Sequence, residues 1–196
     1  MIEAKLRNKV QPLFDYIGKI IGLFFTPNLI TFFAFFAGLL CCLFICCHYF
    51  LLAVGFLLLS GLFDILDGTV ARLTNNSQKI GAYIDLISDR MVEALVIIGL
   101  AIAWPEYSFA YILFLIALLF HFSTFLAAGA LFANTGIKGI HFEYSFIERA
   151  EAFIVFCLLL LMPKCINYVL IPFSLLIIFD GIHRFARVIQ SQTGDQ

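Results

Sequence analysis

Four aspartates, Asp64, Asp67, Asp85 and Asp89, stand at successive gaps of three, eighteen and four residues. The first pair lies in Asp64-Ile-Leu-Asp67-Gly68-Thr-Val-Ala71-Arg72, after an apolar run; the second lies in Gly81-Ala-Tyr-Ile-Asp85-Leu-Ile-Ser-Asp89, before one. Helical periodicity puts Asp64, Asp67, Gly68 and Ala71 on one face of a first helix, and Gly81, Asp85 and Asp89 on one face of a second. A short connection, about residues 73–80, makes the two helices antiparallel neighbours, so the four carboxylates converge. Carboxylates so close repel unless protonated or bound to cations. An oxygen-only donor set suits a hard ion: Mg²⁺, Mn²⁺ or Ca²⁺. Cations held there would neutralise a diphosphate and stabilise a leaving phosphate, so the substrate class is a phosphate ester or anhydride. Gly68, Ala71 and Gly81 leave room for a ligand or for close helix approach. Arg72 supplies a guanidinium for phosphate oxygens. The competing reading is a solvated charged loop, and the apolar sequence bounding these aspartates argues against it.

The elements that must carry this group are membrane elements. Of 196 residues, 63% are hydrophobic and 13% charged, a composition outside the soluble range. The length suits one domain, and a net charge of −1 provides no field for nucleic acid. The 24 phenylalanines read as lipid-facing filler. Cys41, Cys42, Cys46, Cys47, Cys157 and Cys165 form no CxxC and read as buried free thiols. Glu3, Lys5, Arg7, Lys9, Pro12 and Asp15 interrupt the apolar stretch that a secretory signal would need.

Residues 1–25 alternate Lys5, Arg7, Lys9 and Lys19 with apolar residues at helical spacing, as in an amphipathic helix at the membrane surface. Thr26-Pro27-Asn28 breaks it, with Thr26 or Asn28 placed to cap the next helix. Six spans follow, at about 28–48, 51–73, 80–103, 107–132, 146–163 and 166–188, within a catalytic domain over 26–190; residues 191–196 form a polar tail. The fold class is thus an all-α membrane protein of six transmembrane helices preceded by an interfacial helix. In that arrangement Lys5, Arg7, Lys9, Lys19, Arg72, Lys79, Lys138, Arg184 and Arg187 fall on one side and Lys164 alone on the other, which puts both termini in the cytoplasm. Ionisable residues enter spans two, three, five and six at that same end, implying a polar cavity open to the cytoplasm.

The stretch from Asp64 to Asp89 resembles the signature of the CDP-alcohol phosphotransferase (CDP-alcohol phosphatidyltransferase) family. All eight signature positions are present: Asp64, Asp67, Gly68, Ala71, Arg72, Gly81, Asp85 and Asp89. The resemblance implies an integral-membrane enzyme of phospholipid synthesis, usually a homodimer of six-helix subunits. Its substrates would be a CDP-lipid donor, commonly CDP-diacylglycerol, and a small alcohol whose hydroxyl displaces CMP. By position, Asp64, Asp67, Asp85 and Asp89 would hold one or two Mg²⁺ or Mn²⁺ ions. Asp89 would be the general base, and Gly68, Ala71, Arg72 and Gly81 would shape the CDP pocket. Phe25-Thr26-Pro27-Asn28-Leu29-Ile30-Thr31, Ser60-Gly61-Leu62-Phe63-Asp64 and Ile147-Glu148-Arg149-Ala150-Glu151 are similar to the branch containing archaetidylinositol-phosphate and phosphatidylinositol-phosphate synthases, and His183-Arg184 stands where that branch often has a Gln-Arg pair. There Arg149 would bind an acceptor phosphate, or else pair with Glu148 or Glu151. That branch usually carries basic residues late in span four; the run Phe125–Phe132 here has none. The acceptor therefore stays open between an inositol phosphate and another small polyol or alcohol, with Lys138 a further candidate contact.

Among the remaining polar residues, Glu93 reads as supporting the aspartates or bonding between helices, and His121 as a buried, hydrogen-bonded core histidine. Asp180 reads as an i,i+4 partner of Arg184, and His48 as an interfacial anchor. Two other functions compete. An intramembrane prenyltransferase also uses Mg²⁺-diphosphate, but with two separated aspartate motifs and more helices. A divalent-cation transporter needs polar groups along the whole path, and the far halves of these spans are apolar.

Overall fold

A computed structural model describes the backbone of residues 2–74, 79–132 and 149–193, and side chains at 11–74, 79–131 and 150–190. These residues form seven α-helices and two short 3₁₀ turns. The helices are α1 (Ile2–Ile21), α2 (Pro27–Cys46), α3 (Phe50–Leu73), α4 (Lys79–Ala103), α5 (Ser108–Phe132), α6 (Arg149–Leu161) and α7 (Ile166–Thr193).

The chain is all-helical, and four segments are long and apolar enough to cross a membrane: Pro27–Cys46, Phe50–Leu73, Pro105–Leu131 and Pro163–Gln190. The expected third span is one unbroken helix, α4, but Asp85, Asp89, Arg90 and Glu93 make its first half too polar to stand beside those four. Among the described residues the apolar helix Ala150–Leu161 is also shorter than a span; at about 1.5 Å per residue it covers roughly 18 Å. α7 continues to Thr193, so half of the expected 191–196 tail is helical. Lys138, Glu148 and the Arg149 side chain fall outside the described residues.

The helix boundaries follow from local chemistry. Thr26 stands in extended backbone at the α2 N-cap and Pro27 opens the helix; the Thr26 side chain makes no capping bond, so proline alone marks the start. The α2–α3 turn passes through His48 at φ 62°, a left-handed conformation that His tolerates better than β-branched residues do.

The chain divides into two compact units, Met1–Glu106 with Phe153–Pro163, and Tyr107–Ala152 with Lys164–Gln196. In the first, α2 is the central rail. Its buried face, Ile30, Ala34, Ala37, Cys41 and Ile45, is small where neighbours come close. Gly38 shows this best: a Cβ there would stand 2.5 Å from Val92 of α4, so only glycine allows this α2–α4 approach. Phe14, Ile17 and Ile21 of α1 pack on Ile30, Leu66 and Val70. Leu13, Tyr16 and Ile20 of the same helix stay exposed. α1 therefore docks on the protein and keeps a second apolar face outward, as a helix at a membrane surface needs.

In the second unit α5 packs along α7. Ala110, Phe114 and Ala117 meet a face bearing Leu170, Phe173 and Ile177, all buried, with Phe114 stacked on Phe173 at 6.3 Å. The outer faces carry exposed Ile112, Ile116, Leu119, Leu175, Leu176 and Phe179, a surface suited to lipid.

Candidate metal centre

The C-terminal half of α3 and the N-terminal half of α4 bring carboxylates together. Asp64, Asp67 and Asp85 each offer an oxygen, and these oxygens lie within 4.8 Å of one another. The i,i+3 spacing puts Asp64 and Asp67 on one face of α3, and the antiparallel return brings Asp85 opposite. Asp67 is buried at 4% exposure, whereas Asp64 and Asp85 are partly accessible, so the group has a closed side and an open side.

Asp89 is not a member of this close group. It lies one turn further along α4, about 6 Å up the axis, and is partly accessible. Glu93, a turn beyond Asp89, is buried and forms an ion pair with Arg90 at 2.9 Å.

The small residues behave differently from one another. At Gly81 an added Cβ would stand 2.9 Å from the Asn28 side-chain oxygen, so α4 passes close to the start of α2 there and Asn28 would have to turn aside for a larger residue. At Gly68 a Cβ would find Arg72 Nη1 at 3.6 Å, an ordinary contact, so packing alone does not demand glycine beside the carboxylates. Ala71 is partly accessible one turn past Asp67. The exposed Arg72 folds back so that Nη2 donates to Thr69 Oγ1 at 3.0 Å.

Sequence reasoning missed Thr31 as part of this site. Its hydroxyl donates to Asp67 Oδ2 at 2.6 Å, across 36 residues of sequence, with both groups buried. Pro27 O lies 3.1 Å from the same hydroxyl. Further along the same helix pair, Ser60 of α3 donates to Ala34 O of α2 at 2.8 Å. The available signal was the presence of a threonine in an otherwise apolar helix, since a buried hydroxyl needs a partner.

The donor set fits a divalent ion: three carboxylate oxygens, no sulfur and no imidazole, which is the chemistry of Mg²⁺ and Mn²⁺ sites.

The second unit holds another polar cluster. His121 Nε2 lies 2.9 Å from Asp180 Oδ2, and Arg184 Nη2 lies 3.8 Å from the same oxygen and 3.1 Å from His121 Nε2. Arg184 also sits over the Phe125 ring, 5.6 Å from its centroid. The expected i,i+4 pairing of Asp180 is present, but its shorter contact is to His121 on the other helix.

Residues 24–182 match the CDP-alcohol phosphatidyltransferase family, and the chain belongs to it. Among particular proteins, it is 35% identical over 83 residues to the CDP-diacylglycerol–inositol 3-phosphatidyltransferase of Rattus norvegicus, covering 42% of this chain and 38% of the relative. It is 33% identical over 100 residues to the archaetidylinositol phosphate synthase of Pyrococcus horikoshii, covering 50% and 53%. The inner membrane protein YnjF of Escherichia coli is 29% identical over 176 residues, 83% of each chain. The matched stretches thus span about half or less of the two named synthases. The fold is that of Mycobacterium tuberculosis phosphatidylinositol phosphate synthase, solved with CDP-DAG bound: TM-score 0.74 and 20% identity over 90% of this chain and 94% of that one.

Proposed function

We propose that this chain is a divalent-metal-dependent membrane enzyme of phospholipid synthesis. It transfers a substituted phosphate, such as a phosphatidyl group, from a CDP-alcohol such as CDP-diacylglycerol to an alcohol acceptor. The acceptor oxygen forms a bond to the lipid-bearing phosphorus, the bond from that phosphorus to the CMP oxygen breaks, and the acceptor proton passes to a base. The observation that carries this reading is the group of three carboxylate oxygens within 4.8 Å, on two helices inside the stretch that matches the family.

Asp64, Asp67, Asp85 and Asp89 are the residues that would hold Mg²⁺ or Mn²⁺, one ion or two. Ions held there neutralise the diphosphate charge and stabilise the leaving phosphate. Asp89 stands apart from the close group, which suits it to accept the acceptor's proton. Gly68, Ala71, Arg72 and Gly81 line the CDP moiety, with exposed Arg72 able to swing from Thr69 to a phosphate oxygen. Arg149 takes an acceptor phosphate where one is present.

The acceptor is an inositol phosphate or another small polyol or alcohol; the archaetidylinositol phosphate synthase among the relatives supports the first, and the inositol 3-phosphatidyltransferase and the absence of a basic residue in Phe125–Phe132 support the second. The chain crosses the bilayer six times within 26–190, α4 and α6 completing the count, and 1–25 lies at the interface. Both termini and the carboxylates face the cytoplasm, and the enzyme works as a homodimer.

The test is CMP release by purified protein with CDP-diacylglycerol and Mg²⁺ or Mn²⁺, against inositol 1-phosphate, myo-inositol, glycerol 3-phosphate, serine and choline in turn. Release with one acceptor, lost in Asp89→Asn, is the expected result. Failure with every acceptor, while prenyl-diphosphate turnover or cation flux in liposomes succeeds, would replace this reading.

A further inference from the structure

Thr69 lies outside the eight signature positions, yet it holds one of them. Arg72 Nη2 donates to Thr69 Oγ1 at 3.0 Å, while the Thr69 hydroxyl gives its one proton to Ile65 O at 2.8 Å. Toward the guanidinium Thr69 is therefore only an acceptor. Thr69 is 1% exposed, and α1 lies against its methyl: a Cβ at Gly18 would stand 2.9 Å from Thr69 Cγ2 and 3.2 Å from Leu73 Cδ1. The side chain is β-branched and stiff, so the methyl packed under α1 also fixes where the hydroxyl points. Arg72 follows Gly68 by four residues and Thr69 by three, so its side chain reaches back to both. Its Nη1 stands 3.6 Å from the point where a Gly68 Cβ would be. Chain neighbours and helix backbone aside, no other atom of the described residues comes within 4 Å of that point. Gly68 directly follows Asp67 and lies one turn past Asp64, so this opening has carboxylates on one side and the guanidinium on the other.

An exposed arginine carries much rotamer freedom, and a ligand that it grips must overcome that freedom on binding. A bond made before the ligand arrives removes part of this cost. The bond to Thr69 occupies one guanidinium N–H and leaves Nη1 over the Gly68 opening. We infer that Thr69 is a positioning residue that holds Arg72 at the edge of this opening, a short swing from a bound diphosphate, and so strengthens nucleotide binding without acting on the chemical step. The inference deepens the proposed function and rests on it for the ligand, the diphosphate of a CDP-alcohol. The competing role for Thr69 is packing alone, as the residue that α1 sits on; the methyl would serve that role and the hydroxyl would not.

The experiment is calorimetric titration of CDP, with MgCl₂ present, into the full chain in detergent. The proteins are the wild type, Thr69→Val, Thr69→Ser, Arg72→Ala and the double variant Thr69→Val with Arg72→Ala. Arg72→Ala should weaken CDP binding about tenfold or more, as expected for loss of a charged hydrogen-bonding group. Thr69→Val keeps a branched side chain under α1 and removes the hydroxyl; it should weaken CDP binding about threefold to tenfold, the cost of ordering one long side chain. Thr69→Ser loses the methyl and keeps the acceptor, and should stay within about twofold of the wild type. In the double variant Thr69→Val should add nothing beyond about twofold to Arg72→Ala, because it acts through that side chain. If Thr69→Val does not fold, Thr69→Ala against Thr69→Ser makes the same comparison, since both lack the methyl and only serine has the hydroxyl. Unchanged CDP affinity in Thr69→Val or in Arg72→Ala, a loss in Thr69→Ser as large as in Thr69→Val, a full second loss in the double variant, or a wild type that binds no CDP would each overturn the inference. CMP release from CDP-diacylglycerol by the same preparations separates the two claims. CDP affinity that depends on Thr69 in a protein that releases no CMP keeps the positioning role and overturns the proposed reaction. CMP release with equal CDP affinity in the wild type and Thr69→Val does the reverse.

Discussion

In α3 and α4 the buried carboxylate of Asp67 faces two more carboxylates, whereas between α5 and α7 the equally buried Asp180 faces an imidazole and a guanidinium. Both aspartates lie in the second half of their helix, after a long apolar run. The second cluster balances its charge internally: carboxylate and guanidinium cancel, with His121 Nε2 beside both. Such a cluster links two helices, and its loss leaves a buried charge exposed to an apolar interior. The first cluster concentrates like charge, which costs stability in the absence of a cation. Such a gathering of carboxylates is consistent with a metal site, whereas the second cluster is complete in its own charges.

Replacing one member of each cluster sharpens this contrast, beginning with the largest effect. Asp85→Asn should lower CMP release by about 10²–10³-fold, the scale of losing one electrostatic stabiliser of a transition state. Its melting temperature in EDTA should stay equal to or above that of the wild type, because the substitution removes a like charge. A large loss of stability in EDTA would mean that Asp85 is structural.

Asp180→Ala should do the opposite. Breaking a buried ion pair by removing one partner costs about 3–5 kcal/mol, read as reduced stability in detergent. That loss should be the same with Mg²⁺ and with EDTA. A loss that Mg²⁺ changes would join the two clusters and end the distinction.

Gly81→Ala should come next. Its Cβ would stand 2.9 Å from the Asn28 side-chain oxygen, the movable end of that side chain. Asn28 can turn aside, so the cost should fall toward the low end of the about 1–3 kcal/mol that overpacking brings, with CMP release lowered less than in Asp85→Asn. A loss of release as large as that of Asp85→Asn would show that this crossing alone sets the geometry of the carboxylate group. Ser60→Ala should be the smallest of the series, about 1 kcal/mol for one buried hydrogen bond, with catalysis intact.

Much of this arrangement was legible in the sequence because it is local. Long charge-free runs marked α2 and α5, Pro27 and the polar break near residue 75 marked their neighbours, and the i,i+3 spacing of Asp64 and Asp67 fixed their shared face. Interhelical register was not legible. Thr31 and Asp67 are 36 residues apart, and His121 and Asp180 are 59 apart; which turn of one helix meets which turn of another is decided by packing, as Gly38 against Val92 illustrates. Asp64, Asp67 and Asp85 meet closely, and Asp89 stands outside that trio. A shared helix face does not imply a shared height along the axis, and Asp89 lies one turn beyond Asp85.

The most direct test of the central claim is CMP release from CDP-diacylglycerol as Mg²⁺ is titrated, measured side by side for the wild type and Asp67→Asn with the acceptor that supports turnover. The account predicts saturable Mg²⁺ dependence in the wild type, abolished by EDTA and restored by added Mg²⁺, with no recovery in folded Asp67→Asn at any Mg²⁺ concentration. CMP release that persists in EDTA, or that survives Asp67→Asn undiminished, would contradict it.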